Sequence, residues 1–345
     1  CTILLMSATQ PSLNRFFTAK LPIRELNPLI EESFESLRRV QIQHMGSLSL
    51  DELAQKLQGH QQAFCIVNTK RRARELYESI KSEDAFHLST LMLPMDREET
   101  LRDIRSRLAQ GLPCRVVATS MIEAGVDFDF PVGYREEAGL DSIIQAAGRV
   151  NREGHKPYEQ SFLYVFQAEG KRLQGEIRQA AEISRYVFDA YPDVTSPEAI
   201  KAYFNRLFDI RASLTDQKNI MEMLDDDIGW SIPFATIARN FKLIENDTVP
   251  VFIQRDEKSY HLAQKLLQGE RDKYLLRQAS AYCVNIYENE LRDISLSLQK
   301  LSDEDALYML DEPVWKLLAS GQETHRYTTK TGLNLQPVEG GAVFL

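Results

Sequence analysis

Three apolar runs of strand length each break into a short polar motif at their C-terminal end, and this pattern restricts the fold more than any other feature of the chain. They read T-I-L-L-M-S-A-T at residues 2–9, A-F-C-I-V-N-T-K at 63–70 and C-R-V-V-A-T-S at 114–120. Runs that are apolar throughout suit strands covered on both faces, as in a parallel sheet flanked by helices. Helical patterns stand between them. Thr69 caps one in which Ala73, Leu76, Tyr77 and Ile80 fall at i, i+3, i+4 and i+7. Asp96 and Glu99 are placed to cap another, with Leu101, Ile104 and Leu108 as its buried stripe and Gly111 as its stop. A last strand, Phe162 to Phe166, completes a succession of βα units, so the expected class is α/β.

Residues 140–154 read L-D-S-I-I-Q-A-A-G-R-V-N-R-E-G. Asp141 is a good N-cap and Gly154 a natural stop for one helix. On that helix Gln145, Arg149 and Arg152 fall at i, i+4 and i+7, so one face carries an amide and two guanidiniums. Guanidiniums grip phosphate oxygens bidentately, and such a face suits a nucleoside triphosphate. An exposed polar face accounts for two arginines alone, but not for the full Q-x-x-G-R-x-x-R spacing.

That spacing resembles motif VI of the superfamily 2 helicases, whose last arginine acts on the γ-phosphate. Ser7-Ala8-Thr9 looks like motif III of the same family, the run at 63–70 like motif IV, and C-R-V-V-A-T-S-M-I-E-A-G-V-D at 114–127 like motif V. Four such motifs stand in the family's order. The stretch from Ile122 to Gly154 is similar, more narrowly, to the CRISPR-associated helicase–nuclease of type I systems. Most other superfamily 2 members carry glycine where Asn151 stands, whereas R-V-N-R is usual in the CRISPR-associated group. The resemblance covers residues 1–170 and is weak beyond them.

It implies an ATP-dependent single-stranded-DNA translocase or helicase that feeds invader DNA to a nuclease domain in antiviral defence. Arg152 would be the arginine finger, with Arg149 beside it on the phosphates and Gln145 at the nucleotide or the catalytic water. Asp127, after Gly125, would face the ribose or shape the nucleotide cleft; a turn-capping aspartate is the simpler role. Thr119 and Ser120 would contact DNA phosphates, as would Asn68, Thr69 and Lys70, although Thr69 also caps its helix. Ser7 and Thr9 would couple the two RecA-like domains. Glu123 would pair with a motif VI arginine or stand as a surface glutamate. The implied cofactor is ATP with Mg, in a site completed by a first RecA-like domain. The implied partners are single-stranded DNA, an RNA-guided type I surveillance (Cascade-like) complex, and an N-terminal nuclease.

Composition agrees and also sets limits. A length of 345 residues allows two or three domains, and 43% apolar residues suffice for real cores. There is no apolar run of the ~18 residues a membrane span needs. The chain opens Cys1-Thr2-Ile3-Leu4, inside a strand pattern, which reads as the C-terminal part of a longer polypeptide. It contains no G-x-x-x-x-G-K-[ST] loop, no acidic Walker B box and no His-Asp pair among its six histidines. The isolated segment is therefore expected to be inactive by itself. Cys1, Cys65, Cys114 and Cys283 form no C-x-x-C pair, which fits reduced thiols in a cytoplasmic protein, Cys65 and Cys114 acting as small buried hydrophobes. The net charge of −9 argues against a nonspecific electrostatic DNA binder. Yet residues 60–160 balance 14 Lys and Arg against 16 Asp and Glu, while residues 171–345 carry 21 against 27. A translocase that holds single strands through amides and hydroxyls tolerates that balance.

The expected organisation is an α/β RecA-like helicase domain followed by a mainly helical C-terminal accessory domain. Residues 1–20 end a first RecA-like domain, 21–60 cross over, 61–170 form the second RecA-like domain, 171–210 a helical linker and 211–345 the accessory domain. In the crossing segment Val40 and Ile42 alternate as a short strand, and Ser49 with Glu52 makes a capping box for a helix through Leu57. Amphipathic helices are predicted at 171–190, 198–210 and 230–245, a strand at 249–253, and a long helix from Asp272 to Leu301. Tyr282 and Tyr287 on that helix are core residues or base-stacking platforms. Asp225-Asp226-Asp227 reads as a solvated turn, and no metal site is expected. Two other functions fit the same residues: a restriction or repair translocase of superfamily 2, or, for the segment alone, a non-catalytic DNA-gripping or docking module.

Overall fold

The computed structural model describes residues 26–80, 82–123, 125–170, 172–211, 218–224, 232–241, 248–301, 306–311, 314–319 and 326–336, with Leu4, Met6, Ser7, Thr9, Pro11 and Asp216 besides. Half of the run at 2–9, and the acidic turn Asp225-Asp226-Asp227, lie outside the described residues. The chain forms two compact units. One comprises Arg39–Glu137, Gln145–Lys171 and Asp247–Leu345; the other comprises Cys1–Arg38, Ala138–Ile144 and Arg172–Asn246.

Up to residue 168 the elements are α1 (Ile30–Ser36), β1 (Gln41–Leu48), α2 (Leu50–Gln58), β2 (Gln62–Ile66), α3 (Lys70–Ile80), β3 (Ala85–Leu88), α4 (Pro94–Ala109), β4 (Cys114–Ala118), β5 (Val132–Glu136), α5 (Leu140–Ala147) and β6 (Phe162–Ala168). The six strands form one sheet in the order β1-β6-β5-β2-β4-β3, and every pairing is parallel. This is the expected α/β class, a RecA-like parallel sheet with flanking helices. β1, predicted as a strand of a crossing segment, pairs with β6 from Gln41↔Phe162 to Leu48↔Ala168 and is an edge of the sheet. Its register slips between His44 and Ser47, at a bulge containing Gly46. Leu53 and Leu57 of α2 and Ala73, Leu76 and Ile80 of α3 pack with Cys65, Val67 and Val117 in one buried cluster. Each such leucine contributes about 1.5–3 kcal/mol relative to an exposed one. Cys65 and Cys114 are buried free thiols. Burial pushes both upward in pKa, Cys114 to about 12, so neither is a nucleophile.

Two expected caps are settled differently. Ser49 and Glu52 form the predicted capping box of α2. α4, in contrast, starts at Pro94 with no side-chain cap, and Asp96 is 2% exposed. Its carboxylate accepts from Arg255 Nε at 2.9 Å and from the Tyr327 hydroxyl. Proline needs no N–H partner at a first helical position, which frees the aspartate for a tertiary contact.

Towards the C-terminus come α6 (Gly175–Ala190), α7 (Pro197–Arg211), α8 (Ile220–Leu224), α9 (Phe234–Asn240), β7 (Thr248–Phe252), α10 (Glu257–Leu267), α11 (Lys273–Ser280), β8 (Cys283–Tyr287), α12 (Glu288–Asp293), β9 (Leu298–Lys300), β10 (Tyr308–Leu310), α13 (Val314–Ala319), β11 (Tyr327–Thr328) and β12 (Gly332–Leu333). The helices predicted at 171–190 and 198–210 are present as α6 and α7, and α9 falls within the one predicted at 230–245. The region also holds a four-stranded sheet of order β8-β7-β10-β9. The long helix predicted from Asp272 to Leu301 does not form. Asp272 caps only the short α11, and Val284 and Ile286 are buried while Asn285 and Tyr287 face outward, a period-two pattern paired antiparallel with β7. Tyr282 is 5% exposed and donates to Asp256, so it is a core residue. Tyr287 is half exposed, with the Lys70 ammonium 4.9 Å from its ring centre.

The β11–β12 hairpin lies against the segment before α4. Leu333 N–H donates to Leu91 O at 2.9 Å and Leu93 N–H to the Tyr327 hydroxyl at 3.1 Å. Gly332 has φ +74°, and a Cβ there would stand 2.2 Å from Leu91 O, so no side chain fits.

Candidate functional site

The polar motifs lie at the carboxyl ends of the parallel strands, where open α/β sheets place their ligands. Beyond β2, Asn68 is locked into the protein. Its N–H donates to Glu136 Oε2 at 2.8 Å, its Nδ2 to Glu137 O at 2.8 Å, and its Oδ1 accepts from Arg135 Nη1 at 2.7 Å. Arg135 in turn lies 3.0 Å from Glu123 Oε1, and Glu137 Oε1 is 2.8 Å from His44 Nε2. Arg135, Glu123, Glu136 and Glu137 are each less than 8% exposed, so a layer of paired charge closes this end of the sheet. Buried charges are tolerated only when paired and hydrogen-bonded, and removing one partner would strand the rest. Sequence reasoning missed this layer. Its signal was R-E-E at Arg135-Glu136-Glu137, charges set directly on an apolar strand.

Thr69 accepts the Arg72 N–H at 3.2 Å, as the predicted cap requires, and is exposed. The Lys70 ammonium is held by Glu290 at 2.9 and 3.1 Å. Thr119 is nearly buried beyond β4, and Ser120 is exposed at the start of a short 3-10 turn. A cavity of about 550 Å³ is lined by Thr69, Lys70, Arg71 and Arg74 together with Glu290 and Asn334. In the other unit, Ser7 Oγ donates to Thr9 O at 3.0 Å, and Thr9 is buried.

The expected continuous helix from Asp141 to Gly154 is corrected. α5 stops at Ala147, and Asn151 has φ +48°. Arg149 and Arg152 therefore share no helical face with Gln145, which is half-buried in the last turn of α5. The chain leaves the helix because Val150 bridges to Phe130 beside the sheet. Phe130 N–H donates to Arg149 O at 3.0 Å and Asn151 N–H to Phe130 O at 2.9 Å. Asp141 is not the cap either. It lies in the first turn, and its carboxylate accepts from the Tyr203 hydroxyl at 2.9 Å.

The break gives the two arginines different tasks. Arg149 Nη1 donates to Val126 O and Nη2 to Glu123 O, both at 2.6 Å, bracing the loop after β4. Its Nε is buried with no hydrogen-bond partner among the described residues. Partial burial, and then the neighbouring Arg152, depress its pKa. Glu123 thus meets Arg149 through its carbonyl, while its carboxylate goes to Arg135 on β5 instead of to motif VI. Arg152 Nη2 is 2.8 Å from Asp127 Oδ1, with side chains 40% and 84% exposed. Gly125, two residues earlier, is exposed with φ +76°. Asp129, also overlooked from sequence, accepts the Arg152 N–H at 2.7 Å and the Glu153 N–H at 3.4 Å. Its signal was the alternation D-F-D, which points both carboxylates away from the buried Phe128.

Residues 59–155 match the family described as CRISPR-associated nuclease/helicase Cas3, C-terminal. Within the sheet domain, this stretch is similar to the Cas3 C-terminal family. Among curated relatives, the CRISPR-associated helicase Cas3 of Thermoproteus tenax is 30% identical over 118 residues, which cover 34% of this chain and 20% of that protein. The CRISPR-associated nuclease/helicase Cas3 of Methanothermobacter thermautotrophicus is 28% identical over 178 residues, covering 46% of this chain and 21% of the relative. The chain thus spans about a fifth of these Cas3 proteins. Among solved structures, T. fusca Cas3 with AMPPNP superposes with a TM-score of 0.53 at 14% identity, over 84% of this chain and 40% of that one. T. fusca Cas3 with ADP gives 0.52 at 15%, over 79% and 39%. At that identity the structures share the Cas3 fold. Among the described residues no helix is long and apolar enough to cross a membrane.

Proposed function

We propose that this chain supplies the second RecA-like half of an ATP-dependent single-stranded-DNA translocase that works with a nuclease in type I CRISPR interference. The observation that carries the proposal is Arg152. It leaves the motif helix on a turn fixed by Asn151 and Asp129, and among the described residues its guanidinium pairs with the exposed Asp127 carboxylate. An exposed ion pair of this kind contributes ~1 kcal/mol or less, so a polyphosphate can displace the carboxylate readily. Arg152 then offsets charge on the γ-phosphate in the transition state, an effect on the order of 10³–10⁵ in rate for such fingers. Arg149 keeps the loop from Glu123 to Asp127 in place beside the nucleotide. Gln145 and Gly125 are assigned to the nucleotide as well, and Asp127 turns to the ribose once Arg152 leaves it.

Bound ATP with Mg supplies the hydrolysable phosphoanhydride. Among the described residues no group of three His, Cys, Asp or Glu is arranged to hold a metal ion, and the Arg152 guanidinium suits phosphate oxygens. The Mg ligands and the phosphate loop belong to a first RecA-like domain. Ser7 and Thr9 transmit nucleotide state between the two halves. Thr119, Ser120 and Thr69 hold the DNA backbone at the strand ends, together with Lys70 once Glu290 releases it. Asn68 acts indirectly, by setting the loop on which Thr69 stands. The similarity to Cas3 nuclease/helicases, one of them solved with AMPPNP, supports this reading, as does the motif order. An RNA-guided surveillance complex is the proposed recruiter, and the cytoplasm the proposed setting.

The test is single-strand-DNA-stimulated ATP hydrolysis by the intact protein, wild type beside Arg152→Ala. The expected result is a fall in turnover of about 10³ with nucleotide binding largely retained. Unchanged turnover would remove Arg152 as the finger and leave a DNA-docking module with a helicase-like sequence.

A further inference from the structure

We propose that Asn151 is a positioning residue for catalysis, acting through Arg152, with Asp129 as its counterpart on the other side of the loop. The inference rests on the reading of Arg152 as the finger. Asn151 is 3% exposed and sits at φ +48°, a region glycine enters freely and asparagine tolerates better than other residues. Glycine would satisfy the backbone. Asparagine adds an amide that the structure uses fully. Nδ2 donates to Arg39 O at 3.1 Å and to Lys156 O at 2.8 Å, while Oδ1 accepts the Lys156 N–H at 2.9 Å.

These bonds tie both ends of the turn. Gly154 N–H donates to Asn151 O at 3.0 Å, closing it, and Lys156 is held just beyond. Within the turn both backbone polar groups of Arg152 are engaged. Its N–H is held by Asp129, and its carbonyl accepts from Arg39 Nη1. The segment around Arg39 leads directly into β1, so Asn151 anchors the finger to the edge of the sheet. The side chain, 40% exposed and paired with Asp127, is the part that must pass from that carboxylate to phosphate. Misplacing a reacting group by about 1 Å costs on the order of 10² in rate, which makes such bracing a matter of turnover and not of binding.

The experiment measures kcat and nucleotide KM of the intact protein for Asn151→Ala, Asn151→Gly, Arg152→Ala and the Asn151→Ala/Arg152→Ala double variant. Asn151→Ala should lower kcat about tenfold or more with KM changed less than about twofold. Asn151→Gly, which keeps the left-handed backbone and loses the amide, should fall between it and wild type. In the Arg152→Ala background Asn151→Ala should cost nothing further, because residues that act as a unit are non-additive. If the two losses multiply, Asn151 is merely structural and the inference falls while the finger reading stands. The same holds if Asn151→Ala leaves kcat within about twofold of wild type. If Arg152→Ala itself leaves turnover intact, the finger reading fails first and takes this inference with it. Should Asn151→Ala not fold, Asp129→Ala removes the other brace at a half-exposed position, and the same kcat loss and the same non-additivity with Arg152→Ala are required of it.

Discussion

The phenol of Tyr327 donates to the carboxylate of Asp96, 231 residues away in sequence, and accepts the N–H of Leu93 at 3.1 Å. Arg255 reaches the other carboxylate oxygen at 2.9 Å. One buried aspartate at the head of α4 thus gathers a residue from the loop after β7 and one from β11. Burial, and then the Asp96 carboxylate, push the Tyr327 phenol well above its ordinary pKa, so it remains a donor throughout the accessible range.

Tyr327→Phe removes a hydrogen bond to a charged group and the acceptor for Leu93 N–H. The expected loss is about 1.5–3 kcal/mol of unfolding free energy, read from urea titration. A change below about 0.5 kcal/mol would show that the contact is dispensable.

His87 is 2% exposed, and burial, helped by Arg74, depresses its pKa to about 4 from 6.5. Above pH 6.5 the imidazole is neutral folded and unfolded, and its contribution to stability is fully present. As the pH falls towards 4 the unfolded chain takes up a proton that the folded chain refuses, and up to about 3 kcal/mol is lost. Unfolding free energies of wild type and His87→Gln between neutral pH and pH 4 should therefore converge or cross. Parallel curves would refute the assignment.

Arg149 donates to Glu123 O and Val126 O, both at 2.6 Å. A lysine ammonium lacks the fork to span both carbonyls. Arg149→Lys should accelerate amide exchange across residues 125–129 about tenfold, the equivalent of one lost hydrogen bond, and leave β2 and β4 protected. Equal protection in both proteins would mean that the loop holds itself.

Lys70 is paired with Glu290, so its charge is masked in the free protein. Glu290→Gln should strengthen single-strand binding and steepen its dependence on log salt by about 0.7, the increment for one phosphate contact on a single strand. Anisotropy titrations between ~50 and ~200 mM salt would detect it. An unaltered slope would take Lys70 out of the DNA track.

Much of this was legible beforehand because apolar runs such as Phe64–Val67 and Val116–Ala118 have one comfortable place, inside a covered sheet. The capping box at Ser49 and Glu52 was equally local. Failures came where distant partners decided. Helical spacing from Gln145 to Arg152 could not reveal that Phe130 would draw Val150 out of the helix. Nor could it reveal that Asp96 would face Arg255 and Tyr327 instead of its own helix. The run from Asp272 to Leu301 carried enough helix formers to hide a five-residue strand whose partner, β7, lies over thirty positions upstream. The buried charge layer at Arg135, Glu123, Glu136 and Glu137 was missed for the same reason, since each charge looks exposed until its counterpart is in place.

The pairing of β1 with β6 bears on how the domain can be handled. A fragment begun at residue 61, the start expected for the second RecA-like domain, would strip β6 of its partner from Phe162 to Ala168 and leave a row of bare backbone donors and acceptors. Exposed edges of that kind recruit other chains and aggregate. With β1 present the outer rim is instead kinked at the Gly46 bulge, a shape that resists stacking. A cut before Arg39 respects this edge, and one after it invites precipitation.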